Sequence, residues 1–301
     1  MAKIITPVIT VLDKNEKPDY EGNKKVIDFL IGGGVDGILV LGSAGEFPNF
    51  TFEEKVAFLK FYSDYVDGRV ELFAGTGSVS YAETLKLSNA ALNMGYTPMV
   101  IGPYYFGVDQ EKLFIYYDRL AKEITGDFYL YNYPPRTGHS IAPKTIKRLL
   151  AANRNIVGLK DSVSEAGHTN MVFRNTEQYD FTVYSGFDDQ FLSNVSNKNG
   201  NGCIGALSII APEIWSDLIR SFNDKSLDRT LKIYQFIQKL MPIYEMDTNC
   251  SFIMKKLLVH RGVDIDSRAV FPFNQIDGAV LKKAEELLDC VLAEYSEFIK
   301  Q

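Results

Sequence analysis

The sequence predicts an α/β fold, namely a (β/α)8 TIM barrel followed by a C-terminal helical extension. Eight short apolar, β-branched runs occur mainly along the first two-thirds of the 301 residues, and segments with helical periodicity lie between them. Eight is the number of alternating strands and helices that closes such a barrel. Several runs are apolar without alternation, as expected for parallel strands buried on both faces. An open, doubly wound parallel sheet is the competing arrangement.

The predicted elements follow one another without an obvious linker. The eight strands are expected at residues 3–9, 37–41, 70–74, 98–101, 128–132, 156–160, 181–185 and 202–207. Apolar residues at helical spacing over 52–61 predict one of the intervening helices. The run Gly32-Gly33-Gly34 precedes a strand rather than following one, so we expect it to end a helix rather than to bind phosphate.

The pattern changes after residue 211. From there to the end of the chain the segments are helical in character, including 231–240 and 281–298. We therefore expect the barrel strands and helices in residues 1–211, and the last barrel helix with the C-terminal extension in residues 212–301. The two parts are expected to form one structural unit.

Composition and charge exclude several classes of function. The chain is 46% hydrophobic and 23% charged, which is enough for a large core. Its net charge of −6 argues against nucleic-acid binding. No apolar stretch is long enough to span a membrane, and no cleavage site follows the N-terminal apolar run, so neither a membrane anchor nor a signal peptide is expected.

Cysteines and histidines are few and scattered. Neither set has the spacing of a disulfide framework or a metal site, so we expect no metal and a cytoplasmic location. The histidines are expected on the surface or in loops. The residues concerned are Cys203, Cys250, Cys290, His139, His168 and His260.

Lys160 is the most informative single residue. It follows the apolar run 155–159, which is typical of a buried strand. An ammonium group buried there is costly unless it is paired or loses its proton, and the neutral amine is a nucleophile toward carbonyl carbons. The alternative is a lysine that only marks where the strand reaches solvent.

The predicted strand ends carry the other candidate groups, because the catalytic residues of such barrels lie at the C-terminal ends of the strands. Together they offer an amine, phenols, a hydroxyl, a guanidinium group and backbone donors, a set that suits Schiff-base chemistry on a carbonyl. Each alone is also compatible with a tight turn or with core packing. The candidates are Ser43 and Ala44 after the second strand, Tyr105 after the fourth, Tyr131 and Arg136 at the fifth, Lys160 at the sixth, Asp188 after the seventh and Ile204 at the eighth.

Three motifs resemble one family along essentially the whole chain. They are Gly-Ser-Ala-Gly-Glu at 42–46, Tyr-Asn-x-Pro at 131–134 with Thr137-Gly138, and Gly-Leu-Lys-Asp at 158–161. In order and strand placement they resemble the dihydrodipicolinate synthase/N-acetylneuraminate lyase family of pyruvate-dependent class I aldolases. The resemblance implies a TIM barrel that acts on pyruvate and an aldehyde without a cofactor.

The resemblance also implies roles for individual residues. Lys160 would form the imine with pyruvate, and Tyr131 would transfer protons. Ser43 would orient Tyr131, and the backbone N–H groups of Ser43 and Ala44 would bind the pyruvate carboxylate. Tyr105 matches a tyrosine that reaches the neighbouring subunit's site in many members, which implies a homo-oligomer, either a dimer or a tetramer. Ordinary packing is an equal alternative for Tyr105.

The second substrate is less clear from the sequence. Ala44 lacks the hydroxyl that many members have at this position. Arg136 resembles the arginine that holds the carboxylate of aspartate semialdehyde in dihydrodipicolinate synthases. The segment 186–189, which includes Asp188, resembles one that contacts sugar hydroxyls in sugar-acid lyases, whereas Ala206 stands where N-acetylneuraminate lyases usually have a hydroxyl. We favour a synthase-like activity, with a 2-keto-3-deoxygluconate aldolase or an N-acetylneuraminate lyase-like enzyme as the alternative.

Two further functions compete with these. A dehydratase would act on a sugar acid through the same Lys160 imine. A non-catalytic barrel is disfavoured because Lys160, Tyr131 and Ser43 are all present, whereas a degenerate site is expected to have lost at least one of them.

Overall fold

Eight parallel strands close into a barrel in the order in which they occur along the chain. The computed structural model describes residues 1–248 and 250–300. The strands are β1 (Lys3–Pro7), β2 (Gly37–Val40), β3 (Glu71–Gly75), β4 (Thr97–Ile101), β5 (Phe128–Asn132), β6 (Ile156–Asp161), β7 (Thr182–Ser185) and β8 (Gly200–Cys203). The predicted fold class is therefore confirmed, and the open doubly wound sheet is wrong.

Helices separate the strands and continue beyond the last one. They are α1 (Tyr20–Gly32), α2 (Phe52–Val66), α3 (Tyr81–Asn93), α4 (Gln110–Glu123), α5 (Pro134–Thr137), α6 (Pro143–Ala152), α7 (Ala166–Thr176), α8 (Phe191–Val195), α9 (Leu207–Ile210), α10 (Pro212–Asn223), α11 (Leu227–Leu240), α12 (Cys250–His260) and α13 (Gly278–Ile299). Short 3-10 helices occur at Ser43–Gly45, Phe47–Asn49, Asp188–Gln190 and Met241–Glu245. No helix within the described residues is long and apolar enough to cross a membrane.

Two predicted strands differ from the observed ones by two or more residues at a boundary, whereas the others agree to within one residue at each end. The first strand ends at Pro7 rather than at residue 9, and β8 covers Gly200–Cys203 rather than 202–207. The N–H groups of Ser208 and Ile209 donate to the carbonyls of Gly205 and Ala206, three residues earlier, so this segment is helical. The sequence predicts a strand for the apolar run that includes Leu207 because periodicity does not separate a short buried strand from a short buried helix.

The three consecutive glycines end a helix, as predicted. The N–H of Gly33 donates to the carbonyl of Phe29, and Gly34 has φ +85°, a left-handed conformation that glycine adopts without strain.

The chain forms two compact units. One contains residues 1–49, 65–70 and the described residues from 205 onward, and the other contains 50–64 and 71–204. β3 to β8 belong to the second unit, whereas β1, β2 and the C-terminal helices belong to the first. The sequence-based division at residue 211 stays a prediction.

An aromatic cluster fills the interior of the second unit beneath the strand ends. The ring of Tyr129 lies 5.6 Å from that of Phe73 and 6.2 Å from that of Tyr184, measured between centroids. Tyr129 pairs in register with Gly158. A Cβ atom at Gly158 would lie 2.0 Å from the Tyr129 ring, so only glycine leaves room for this ring. The cluster therefore fixes the identity of the residue two positions before Lys160.

We expect Gly158→Ala to destabilise the protein by about 1–3 kcal/mol, because the new methyl group overpacks a filled interior. The free energy of unfolding in urea measures the change. Gly167→Ala is the matched control, since a Cβ at this position in α7 meets no atom within 4 Å. Equal stability of the two variants would contradict the packing argument.

Candidate active site

Lys160 lies at the C-terminal end of β6, inside the second unit. It pairs in register with Tyr131 of β5 and with Tyr184 of β7. The residue is 4% exposed, and its Nζ atom lies 4.5 Å from the centre of the Tyr131 ring. In the part of the chain that the structure describes, no group forms a hydrogen bond or an ion pair with this ammonium. Lys160 is therefore a buried amine rather than a lysine that reaches solvent.

Burial lowers the pKa of Lys160 to about 8, against the opposing effects of Tyr133, Cys203 and Asp188. A pKa of about 8 leaves roughly a tenth of the amine neutral at pH 7. The neutral amine is the nucleophilic form, so this residue is suited to attack a carbonyl carbon near neutral pH.

A row of side chains leads from Lys160 to the surface. Tyr131 is 5% exposed, and its ring is stacked on that of Tyr133, with centroids 5.8 Å apart and planes inclined by 20°. The guanidinium carbon of Arg136 lies 6.0 Å from the centre of the Tyr133 ring, and Arg136 is exposed. The row Lys160, Tyr131, Tyr133, Arg136 thus joins a buried amine to an accessible cation.

Tyr133 belongs to this row but was not predicted from the sequence. It is the unspecified position of the Tyr-Asn-x-Pro motif, so the motif gave no signal for it. Burial raises the pKa of Tyr133, and Tyr131 adds to the rise while Arg136 opposes it. Pro134 begins α5 directly after Tyr133, and Gly138 ends this helix with φ +75°, so the chain turns sharply and brings Arg136 back toward the ring.

The ends of β6, β7 and β8 approach one another closely. The N–H of Gly186 donates to the carbonyl of Asp161 at 2.8 Å, and the N–H of Ile204 donates to the carbonyl of Ser185 at 2.8 Å. A Cβ atom at Gly186 would lie 1.9 Å from the Ser162 Oγ, so the loop after β7 passes directly over the loop after β6. Ile204 is 1% exposed and follows β8 immediately.

Asp188 lies in the 3-10 helix after β7 and is fully buried. Its charge raises the pKa of Lys160. The pKa of the Cys203 thiol is raised mainly by burial of that thiol and further by the charge of Asp188. The structure therefore brings Asp188 into the electrostatic surroundings of Lys160. Its neighbour Asp189 is exposed, although partial burial of the carboxyl raises its pKa.

Ser43 and Ala44 lie in the first unit, in the 3-10 helix directly after β2. The hydrogen bonds of this turn use the N–H groups of Gly45 and Glu46, which donate to the carbonyls of Gly42 and Ser43. The N–H groups of Ser43 and Ala44 are not used in these two bonds, as expected at the start of a helix.

Tyr105 differs from the other predicted residues because it is 85% exposed. Its backbone has φ +81°, and its ring packs edge to face against the ring of Phe106, which is 69% exposed, at 4.9 Å between centroids. The structure does not bury Tyr105 with Lys160 and Tyr131.

A polar network lies on the opposite face of the strand ends. Asn132 donates from Nδ2 to Asp161 Oδ1 at 2.9 Å, and its Oδ1 accepts the N–H of Ile141 at 2.9 Å. Asp161 Oδ2 accepts the hydroxyl of Thr169 at 2.7 Å and lies 3.2 Å from Nδ1 of His168. Asn132 and Asp161 are almost completely buried, so this network fixes the ends of β5 and β6 on the face away from Lys160.

His168 corrects a prediction. We expected a surface or loop histidine, but His168 lies in α7 and is largely buried beside Asp161. Burial of the ring opposes protonation, but the hydrogen bond to Asp161 and the charge of that carboxylate outweigh it, so the pKa of His168 is raised. No cluster of three or more metal-ligating side chains occurs among residues 1–248 and 250–300.

Comparison with known proteins identifies the family. A model of the dihydrodipicolinate synthetase family matches residues 1–290. The chain belongs to this family. Its members are lyases and synthases that use Schiff-base chemistry with pyruvate, so the protein is an enzyme of this class. The resemblance inferred from the three motifs is thereby confirmed.

Both kinds of activity considered from the sequence occur among the relatives. The chain is 32% identical over 277 residues to YagE of Escherichia coli K12, which carries the name of a 2-dehydro-3-deoxy-D-gluconate aldolase, with 91% of each chain covered. It is 33% identical over 249 residues to the 4-hydroxy-tetrahydrodipicolinate synthase of Kosmotoga olearia, with 82% of each covered. The crystal structure of E. coli YagE in complex with pyruvate matches with a TM-score of 0.92 and 30% identity, over 97% of this chain and 98% of that one.

The pair His168–Asp161 predicts a pH-dependent stability. Because the pKa of His168 is raised by folding, the pair stabilises the fold fully below the ordinary histidine pKa of 6.5, and this contribution is lost as the pH rises through the raised value. We expect His168→Gln to remove this part of the pH dependence in urea unfolding measured from acid to mildly alkaline pH.

Thr169→Val is the control for this measurement. It removes a hydroxyl that binds the same carboxylate but leaves the titrating ring in place. We expect it to lower the stability at every pH and to retain the dependence of the wild type. A His168→Gln profile parallel to that of the wild type would disprove the role of the ring.

Proposed function

We propose that Lys160 is the nucleophile of the family's Schiff-base chemistry and that Tyr131 transfers the protons. The neutral amine attacks the carbonyl carbon of pyruvate. The resulting carbinolamine takes a proton from the Tyr131 hydroxyl and loses water, which leaves a protonated imine and the Tyr131 phenolate. The phenolate removes a methyl proton to give an enamine, whose carbon attacks the aldehyde carbon while the Tyr131 hydroxyl returns the proton to the aldehyde oxygen. Cleavage is the reverse of this step. The buried, lowered-pKa amine 4.5 Å from the Tyr131 ring supports the assignment.

The other predicted residues complete this proposal. As the resemblance to the family implies, Ser43 assists the proton transfer, and the N–H groups of Ser43 and Ala44 bind the pyruvate carboxylate. Ile204 contributes to the wall beside Lys160. Family members are usually oligomeric, and we propose a homodimer or a tetramer in which Tyr105 reaches the neighbouring subunit's site. The exposed Tyr105–Phe106 pair supports this assembly, and the cytoplasmic location stays a prediction.

We propose that the second substrate is a short aldehyde with a carboxylate, as in a dihydrodipicolinate synthase. The observation that carries this proposal is the exposed guanidinium group of Arg136 at the outer end of the row from Lys160. Guanidinium and carboxylate groups form paired, directional hydrogen bonds. A guanidinium group at the outer end of this row therefore favours an aldehyde that carries a carboxylate.

A sugar-acid aldolase is the second candidate. It is favoured by the acidic pair after β7, in which Asp189 is exposed, and by the similarity to YagE. Carboxylate oxygens accept hydrogen bonds from sugar hydroxyls. Because Asp188 is fully buried, we propose that it acts mainly through its charge near Lys160, and that Asp189 is the group accessible to such a substrate.

Treatment with pyruvate and borohydride is expected to leave one reduced adduct, on Lys160. The rate of trapping should rise with pH through about 8, because the neutral amine is the reacting form. Intact mass and peptide mapping locate the adduct. Lys160→Ala should give none, whereas Lys112→Ala, which removes an exposed lysine of α4, should react as the wild type does. An adduct on another lysine would refute the assignment.

Arg136→Ala is expected to lower kcat/KM for aspartate semialdehyde roughly ten- to hundred-fold, the value of a lost hydrogen bond to a charged group. It should change cleavage of 2-keto-3-deoxygluconate little. Arg136→Lys keeps the positive charge but lacks the two parallel N–H donors of the guanidinium group. Its kcat/KM for aspartate semialdehyde should lie between those of the wild type and of Arg136→Ala. Efficient cleavage of the sugar acid by the wild type, with no reaction of aspartate semialdehyde, would establish the second candidate instead.

A further inference from the structure

A buried ion pair holds the turn that follows β2. Glu46 is 5% exposed, and Lys255 of α12 is completely buried. The Lys255 ammonium donates to Glu46 Oε2 and, at 2.9 Å, to the carbonyl of Arg268. The other carboxylate oxygen of Glu46 accepts the N–H of Val270 at 3.3 Å. The pair therefore ties the turn at 43–46 to α12 and to the segment after it, all within the first unit.

A gain in folding stability does not by itself explain why Glu46 and Lys255 form a buried ion pair. Apolar residues of similar volume in place of a buried ion pair are often equally stable or more so, because the charges lose their hydration. Glu46 also has φ +57°, a left-handed conformation that costs a non-glycine residue energy. A glycine would adopt this conformation more easily, so the carboxylate itself is what Glu46 adds to the turn.

The turn is fixed from a second side. The hydroxyl of Thr10 donates to the carbonyl of Gly45 at 2.8 Å. A Cβ atom at Gly45 would lie 3.2 Å from the carbonyl oxygen of Val8, so the turn is pressed against the chain that follows β1. With Thr10 on one side and Lys255 on the other, the orientation of the N–H groups at the start of the turn is closely determined.

We infer that Lys255 is a positioning residue for binding of the pyruvate carboxylate. By holding Glu46 it fixes the turn whose Ser43 and Ala44 N–H groups bind that carboxylate. The inference rests on the proposed function of the turn. Lys255 touches no substrate, so its removal affects the affinity for pyruvate rather than the reaction of the amine on Lys160.

The test uses the double variant Glu46→Met/Lys255→Met, which removes both charges and avoids an unpaired buried carboxylate. The readouts are urea unfolding and the pyruvate concentration that gives half-maximal borohydride trapping on Lys160. We expect stability near that of the wild type, a half-saturating concentration raised roughly ten- to hundred-fold, and an almost unchanged maximal trapping rate. Glu46→Gln, which keeps the size and the contact to Val270, should give a smaller rise.

The matched control is Lys55→Met/Glu83→Met. Lys55, whose side chain is 6% exposed, and Glu83, whose side chain is 29% exposed, form another lysine–glutamate pair, 2.8 Å apart, in the second unit. This variant should keep the wild-type pyruvate dependence. A folded Glu46→Met/Lys255→Met variant with wild-type half-saturation would overturn the inference. So would loss of folding confined to that variant, since the pair would then serve the fold alone. Wild-type protein without any adduct on Lys160 would instead refute the proposed function.

Discussion

The burial of one amine, that of Lys160, constrains both the packing and the charges around it in the second unit. Lys160 is paired with β5 and β7, its Nζ atom lies 4.5 Å from the centre of the Tyr131 ring, and burial lowers its pKa to about 8. That environment requires an interior filled by side chains beneath the amine, and the packed rings of Phe73, Tyr129 and Tyr184 lie there. It also requires limited negative charge nearby, because each carboxylate close to the amine raises its pKa again. Asp188 has this opposing effect, and burial outweighs it.

Strand alternation lets two neighbouring residues serve opposite faces. On β5, Tyr131 faces the barrel interior and Asn132 faces the helices, and on β6 the same holds for Lys160 and Asp161. The inner residues are the proposed nucleophile and proton donor, whereas the outer residues join α7 through His168 and Thr169. A slip of one residue in either strand would exchange the inner and outer residues, so the polar network also specifies the register of Tyr131 and Lys160.

Much of the fold and part of the site could be predicted from the sequence, for identifiable reasons. The strands are continuous apolar runs, and Lys160 and Tyr131 stand at the ends of such runs within recognisable motifs. β8 was misplaced because the apolar run around it contains a helix as well. Tyr133 carries no signal in the motif, and the Glu46–Lys255 pair joins residues 209 positions apart, so neither follows from local pattern. Ser43 and Ala44 were predicted from the motif, and their roles stay predictions.

The contact between Gly158 and Tyr129 also limits how this enzyme can diversify. The inner end of the barrel is occupied by the aromatic rings, and the glycine cannot gain a side chain without displacing one of them. New substrate preferences therefore have to arise in the loops beyond the strand ends, where Arg136 and Asp189 lie. Directed evolution for bulkier aldehydes would gain most from libraries in those loops, and mutational scans of β5 and β6 should find the inward positions nearly intolerant of change.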